Sequence, residues 1–207
     1  MDVLGALFLF AIIIFSAVIH EVMHGVAADW LGDKTARYAG RLTLNPIPHL
    51  DPFGSIMLPL IFLLSNSSIF FAWAKPVPYN PYNLKPGKFS EAIVAGAGPA
   101  SNLVIAAIGG IAIRSGMLGN MTDIVFLIVV VNVMLCIFNL IPVPPLDGSK
   151  VLEALLPGRL AYEYGSWRRR MEHNPILGMA VILVIVFVLG GSFSAFIYSI
   201  AHAIAGM

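Results

Sequence analysis

Residues 3–32 read VLGALFLFAIIIFSAVIHEVMHGVAADWLG, and this stretch decides the fold. Val3 to Ile19 carries no ionisable side chain and has the length a membrane helix needs, roughly 17–25 residues. The helical pattern runs on through His20, Glu21 and His24 to Gly32, a plausible stop. A secretory signal is not expected, because the only early charge is Asp2 and no small-x-small cleavage site follows.

On a helix, residues four apart share a face, so His20 and His24 can reach one metal ion with Glu21 beside them. Two imidazole ligands and a carboxylate acting as general base form the zinc-hydrolase arrangement. Zinc suits the chemistry because it brings the pKa of a bound water to about 7. The pattern arises by chance in about 0.3% of chains of this composition. Its position at the end of an apolar stretch adds weight, since ionisable groups cost at least roughly 2.5–3.5 kcal/mol each inside a bilayer and mark function. An open catalytic zinc site takes three protein ligands. Asp147 is the best candidate for the third, because it follows a long apolar span, sits in a Pro-rich break and precedes a glycine. His49 and Asp51 compete for the role, although Asp51 precedes Pro52 and reads as a helix cap.

Composition agrees with a membrane class. Hydrophobic residues make up 58% of the 207 and charged residues 11%, against about 45–50% and about 25% in an ordinary globular chain. A net charge of +1 argues against nucleic-acid binding by bulk charge and against disorder. The single cysteine, Cys136, excludes a disulfide framework and a cysteine-based zinc finger, and it reads as a small apolar helix residue.

Working outward, residues 33–52 are polar and Pro-broken, with Arg41-Leu42-Thr43-Leu44 alternating as in a short strand. The apolar stretch Phe53 to Trp73 is interrupted at Ser65-Asn66-Ser67-Ser68, and Lys75 to Pro81 is Pro-rich and extended. Spans are expected near 90–113 and 121–141. The first carries Ala92, Gly96 and Ala100 at a spacing that lets helices approach closely, and Asn132 in the second suits hydrogen bonding between helices. Residues 175–205 form a last apolar stretch, split by Gly190-Gly191-Ser192. Arg168 to Arg170 are expected at anionic headgroups on the cytoplasmic face. No internal repeat is visible, and one domain over 1–207 is expected, its catalytic core about 3–157.

His20-Glu21-Val22-Met23-His24, together with Asn139-x-x-Pro142-x-x-x-Leu146-Asp147-Gly148, resembles the site-2 protease family of intramembrane zinc metalloproteases. Gly98-Pro99-Ala100-Ser101-Asn102 is similar to that family's Gly-Pro-x-x-Asn element, and 40–54 and 73–80 look like its short bacterial and archaeal branch. The resemblance covers about residues 15–157. It implies one zinc held by His20, His24 and Asp147, Glu21 as the base, and Asn139 and Asn102 as substrate-positioning residues. It also implies a substrate that is itself a membrane protein with a transmembrane segment. Larger members carry PDZ or CBS domains and a transmembrane helix before the His-Glu-x-x-His helix, and neither is expected in this chain.

The expected fold is thus an all-α polytopic membrane protein of about four to five transmembrane helices, with a re-entrant hairpin and short β-strands near the active site. A transporter would be expected to show inverted repeats, and a scaffold would not need Glu21. Segments 36–45 and 74–80 can pair edge-on with an unwound substrate. If 53–73 were a full span, His24 and Asp147 would sit near opposite faces of a hydrocarbon core about 30 Å thick. If it dips in and returns, both reach one face, and that face carries every Lys and Arg except Arg114. That bias marks it as the cytoplasmic side of a prokaryotic plasma membrane, with the N-terminus outside.

Overall fold

A computed structural model describes residues 3–57, 61 and 74–207. The chain divides into two compact units, Met1–Lys85 and Pro86–Met207.

In the first unit, α1 runs Val3–Trp30 without a break, about 42 Å at 1.5 Å per residue. No proline interrupts it, and it ends where Gly32 takes a φ of +111°, a left-handed conformation that glycine adopts without steric cost. Ile14, Val18 and Val22 lie on one stripe and are buried with Phe10 and Leu50 against them. Leu4, Leu7, Phe8 and Phe15 stay exposed, as lipid-facing side chains should in a span whose surroundings are apolar.

The polar stretch after α1 is tied by one carboxylate. Asp33, fully buried, accepts hydrogen bonds from Thr35 Oγ1 at 2.5 Å, Thr35 N–H at 3.1 Å, Asn80 N–H at 2.7 Å and Asn83 Nδ2 at 3.0 Å. Burial raises the Asp33 pKa, but these hydrogen bonds favour the anion and hold it below its ordinary value. The Thr35 contacts set one helical turn, α2, Thr35–Tyr38.

The strand expected at 41–44 does not form. Among the described residues there is one isolated antiparallel bridge, Leu50 with Ala74, and Lys75 N–H donates to His49 O at 2.8 Å beside it. Pro46, Pro48, Pro76 and Pro78 remove the donors a longer ladder would need. Most of the expected hairpin 53–73 lies outside the described residues. Its start, Pro52–Met57, is a helical turn of π type.

In the second unit, α3 (Ser90–Arg114), α4 (Thr122–Asn139) and α7 (Pro175–Ala205) pack mutually, and α5 (Asp147–Leu155) and α6 (Gly158–Glu172) lie against them. Their core is Ala106, Val129, Val130, Val133, Ile197 and Ala201. Close helix approach falls at Gly109 and Gly110 rather than at Gly96. A Cβ on Gly109 would lie 2.7 Å from Val129 Cγ2 and one on Gly110 2.6 Å from the Ile204 carbonyl oxygen, whereas Gly96 has open space among the described residues. Asn132 carries the expected inter-helix hydrogen bond, accepting from Asn102 Nδ2 at 2.9 Å. Residues 175–205 form one continuous helix of 31 residues, through the glycine pair at 190–191.

Three helices among the described residues are long and apolar enough to cross a bilayer, at Leu4–Trp30, Ser90–Arg114 and Gly119–Asn139. The chain is a helical membrane protein. Arg168 corrects one expectation. Its side chain is buried, with Glu153 at 2.6 Å, Glu172 at 3.0 Å and Glu91 at 3.4 Å, so it ties α3, α5 and α6 together and does not meet headgroups. Arg169 and Arg170 remain exposed.

Candidate metal centre

His20 and His24 sit one turn apart late in α1, both buried, at 5% and 9% exposure. Their Nε2 atoms face each other at 3.0 Å, with the rings edge to face and centroids 4.6 Å apart. Two nitrogens bound to one tetrahedral zinc at about 2.0–2.1 Å would stand about 3.3 Å apart. The pair is therefore already at a chelating separation, and the donor set fits zinc.

Glu21 points beside them into the extended segment after residue 74. Its Oε2 accepts the Val77 N–H at 2.9 Å. Gly25, directly after the second histidine, makes this approach possible. A Cβ there would meet Leu42 Cδ2 at 2.6 Å and Val77 Cγ1 at 2.9 Å.

Asp51 has other employment, and His49 is held through one ring nitrogen, Nε2, while its buried Nδ1 has no hydrogen-bond partner among the described residues. Asp51 Oδ1 accepts the N–H groups of Phe53 and Gly54 at 3.1 and 2.7 Å, and Asp51 N–H donates to Ser55 Oγ at 3.0 Å. That is the helix cap read from the sequence. His49 is fully buried with Nε2 2.9 Å from the Thr43 carbonyl; since a carbonyl only accepts, Nε2 carries the proton. Burial pushes the His49 pKa down, with Arg41 adding to this against Thr43 and Glu21, so the ring is neutral and fastens the 43–49 loop.

Asp147 is the first residue of α5, in the second unit. The following Gly148 has a local reason: a Cβ there would lie 2.1 Å from the Leu140 carbonyl oxygen and 2.7 Å from that of Ile141. The N-terminus of α5 thus sits hard on the backbone leaving α4, which fixes where the Asp147 side chain begins. Tyr164 from α6 donates to the Pro142 carbonyl at 2.9 Å and steadies the same loop. Asn139 Nδ2 donates to Leu135 O in its own helix at 2.9 Å, and Asn102 is fully buried against Asn132. Sequence reasoning missed Gly25, Arg41 and Val77. Only the glycine after His24 signals the close approach.

Paired imidazoles one turn apart with an interposed carboxylate, on a helix able to cross a bilayer, define a membrane-embedded metallohydrolase. Comparison with known proteins gives the family. Residues 111–189 match Peptidase family M50. The chain is 35% identical over 191 residues to "Putative zinc metalloprotease YwhC" of Bacillus subtilis, covering 87% of this chain and 80% of that protein. It is 30% identical over 149 residues to "Putative zinc metalloprotease Rip2" of Mycolicibacterium smegmatis, covering 68% of this chain and 54% of that protein. No solved structure matches. The chain belongs to peptidase family M50, the site-2 proteases, and is a zinc-dependent metalloprotease.

Proposed function

We propose that the protein is an intramembrane endopeptidase that cuts membrane proteins within or near their transmembrane segments, using His20, His24 and Asp147 as zinc ligands and Glu21 as general base. The observation that carries this reading is the 3.0 Å separation of the two Nε2 atoms on an apolar helix, with Glu21 held beside them. Asp147 supplies the third ligand that an open catalytic site requires, since Asp51 is engaged as a helix cap.

When bound, zinc supplies a Lewis acid that acidifies water and polarises the scissile carbonyl. Glu21 takes the proton from the attacking water and returns it to the leaving amine nitrogen. A substrate must unwind before it can be cut, and the segments 36–45 and 74–80 beside the motif helix are the ones against which it pairs edge-on. Asn139, beside the loop that leads to Asp147, helps to position substrate. Asn102, being fully buried, acts by fixing α3 against α4.

In this reading 1–207 is one catalytic domain, and α7 adds a fourth span to the three apolar helices. Two observations support a re-entrant 53–73. Its flanks, Leu50 and Ala74, are paired with each other, and Lys85 N–H donates to the Leu31 carbonyl at 2.7 Å. The chain therefore comes back to the end of α1 from which it left. With the N-terminus outside a prokaryotic plasma membrane, the site opens toward the cytoplasm, the side that carries 11 of the 12 Lys and Arg residues.

The test is a comparison of membrane proteins in cells carrying wild-type or Glu21→Gln enzyme. Shortened fragments that appear with wild type and vanish with Glu21→Gln, at unchanged zinc content, support the assignment. Residual activity within about tenfold of wild type contradicts a general-base role, which supplies about 10²–10⁴-fold.

A further inference from the structure

Between Lys75 and Tyr79 the chain reads Pro76-Val77-Pro78, so the Val77 N–H is the one backbone donor between those two residues. That donor goes to Glu21. The carbonyl of the same peptide group, Pro76 O, accepts from Arg41 Nη2 at 3.3 Å, and Lys75 O accepts from the same nitrogen at 2.8 Å. One peptide group thus has a guanidinium at its oxygen and a carboxylate at its N–H.

Arg41 is 8% exposed, with Nε lacking a hydrogen-bond partner among the described residues. Burying a charge on neutral carbonyls is costly, and a neutral donor could satisfy the same acceptors if fastening the loop were the whole purpose. A cation at the carbonyl polarises the peptide and strengthens its N–H toward an anion. The rest of the segment is held independently, by Lys75 N–H on His49 O at 2.8 Å and by the buried Val77 side chain over Gly25.

We propose that Arg41 is a positioning residue for Glu21, acting through the Pro76–Val77 peptide group to hold one carboxylate oxygen so that the carboxylate is correctly aimed for proton transfer. This rests on the reading of Glu21 as the base.

The experiment uses the full chain, zinc-loaded, in detergent micelles, with ¹⁵N-valine labelling and a membrane-protein fragment that wild type cleaves. Arg41→Gln should keep one zinc and leave KM within about twofold, while kcat falls between about tenfold and about a hundredfold, as misplaced catalytic groups do. Arg41→Lys should restore most of kcat. The Val77 amide proton should move upfield in Arg41→Gln, in the direction Glu21→Gln moves it. Val77→Pro, which keeps Arg41 and removes the donor, should lose kcat similarly, with little further loss when combined with Arg41→Gln. It also carries the test if Arg41→Gln fails to fold. Wild-type kcat in Arg41→Gln or Val77→Pro, or an unmoved Val77 amide in Arg41→Gln, overturns the proposal while leaving the base assignment intact. An active Glu21→Gln enzyme overturns the base reading itself.

Discussion

The Glu21 carboxylate accepts the backbone N–H of Val77 at 2.9 Å across 56 residues of sequence. The contact joins the motif helix to a segment flanked by prolines, and it sets one wall of the site within the first unit of the chain. Because Gly25 leaves room for Val77 one turn further along, the docking depends on a residue that carries no chemistry of its own.

Metal content separates the ligands from their rivals. Purified protein should hold one zinc, lost in His20→Ala, His24→Ala and Asp147→Ala. His49→Ala and Asp51→Ala should keep it, and the lost cap in Asp51→Ala should cost about 1 kcal/mol of stability. Elemental analysis with thermal melts reads both quantities. Full zinc in Asp147→Ala would remove Asp147 from the set.

Gly148 should tolerate nothing larger than itself. In Gly148→Ala the new Cβ would lie 2.1 Å from a backbone oxygen, so α5 must shift and carry Asp147 with it. A loss of about 1–3 kcal/mol, typical of overpacking, should accompany weaker zinc retention under chelator challenge. Wild-type behaviour in both assays would show that α5 is free to move.

Asp33 makes stability acid-sensitive. Its folded pKa lies below the unfolded value of about 3.9, so its contribution is complete above that value and is lost as pH falls through the folded pKa. Asp33→Asn should lower stability at pH 7 and shrink the gap from wild type below about pH 4. A gap that stays constant down to pH 2 would contradict this.

Topology is read by cysteine labelling. Cysteines placed singly at Lys34 and Lys85 should react from the same, cytoplasmic side, because Lys85 N–H is bonded to Leu31 at the end of α1. The native Cys136 is buried and gives a low background. Opposite accessibility of the two positions would sink the re-entrant reading.

Local pattern determined a great deal about this protein. An uninterrupted apolar run made α1 a membrane helix, the four-residue spacing of His20 and His24 put both imidazoles on one face, and Asp51 before Pro52 capped its helix. Each depends on residues within about a turn of one another, so the sequence alone carries it. The strand read at Arg41 to Leu44 fails for the complementary reason. Its alternation was real, but a ladder needs partner donors, and the partner segment is rich in proline. What only the tertiary structure decided comes from contacts between distant residues. Arg41 reaches carbonyls 34 and 35 positions away, Val77 meets Glu21, and Arg168, one of three consecutive arginines, turns inward to three carboxylates while its neighbours stay exposed. No periodicity marks such residues, because which of three adjacent arginines is buried depends on where another helix places its glutamates.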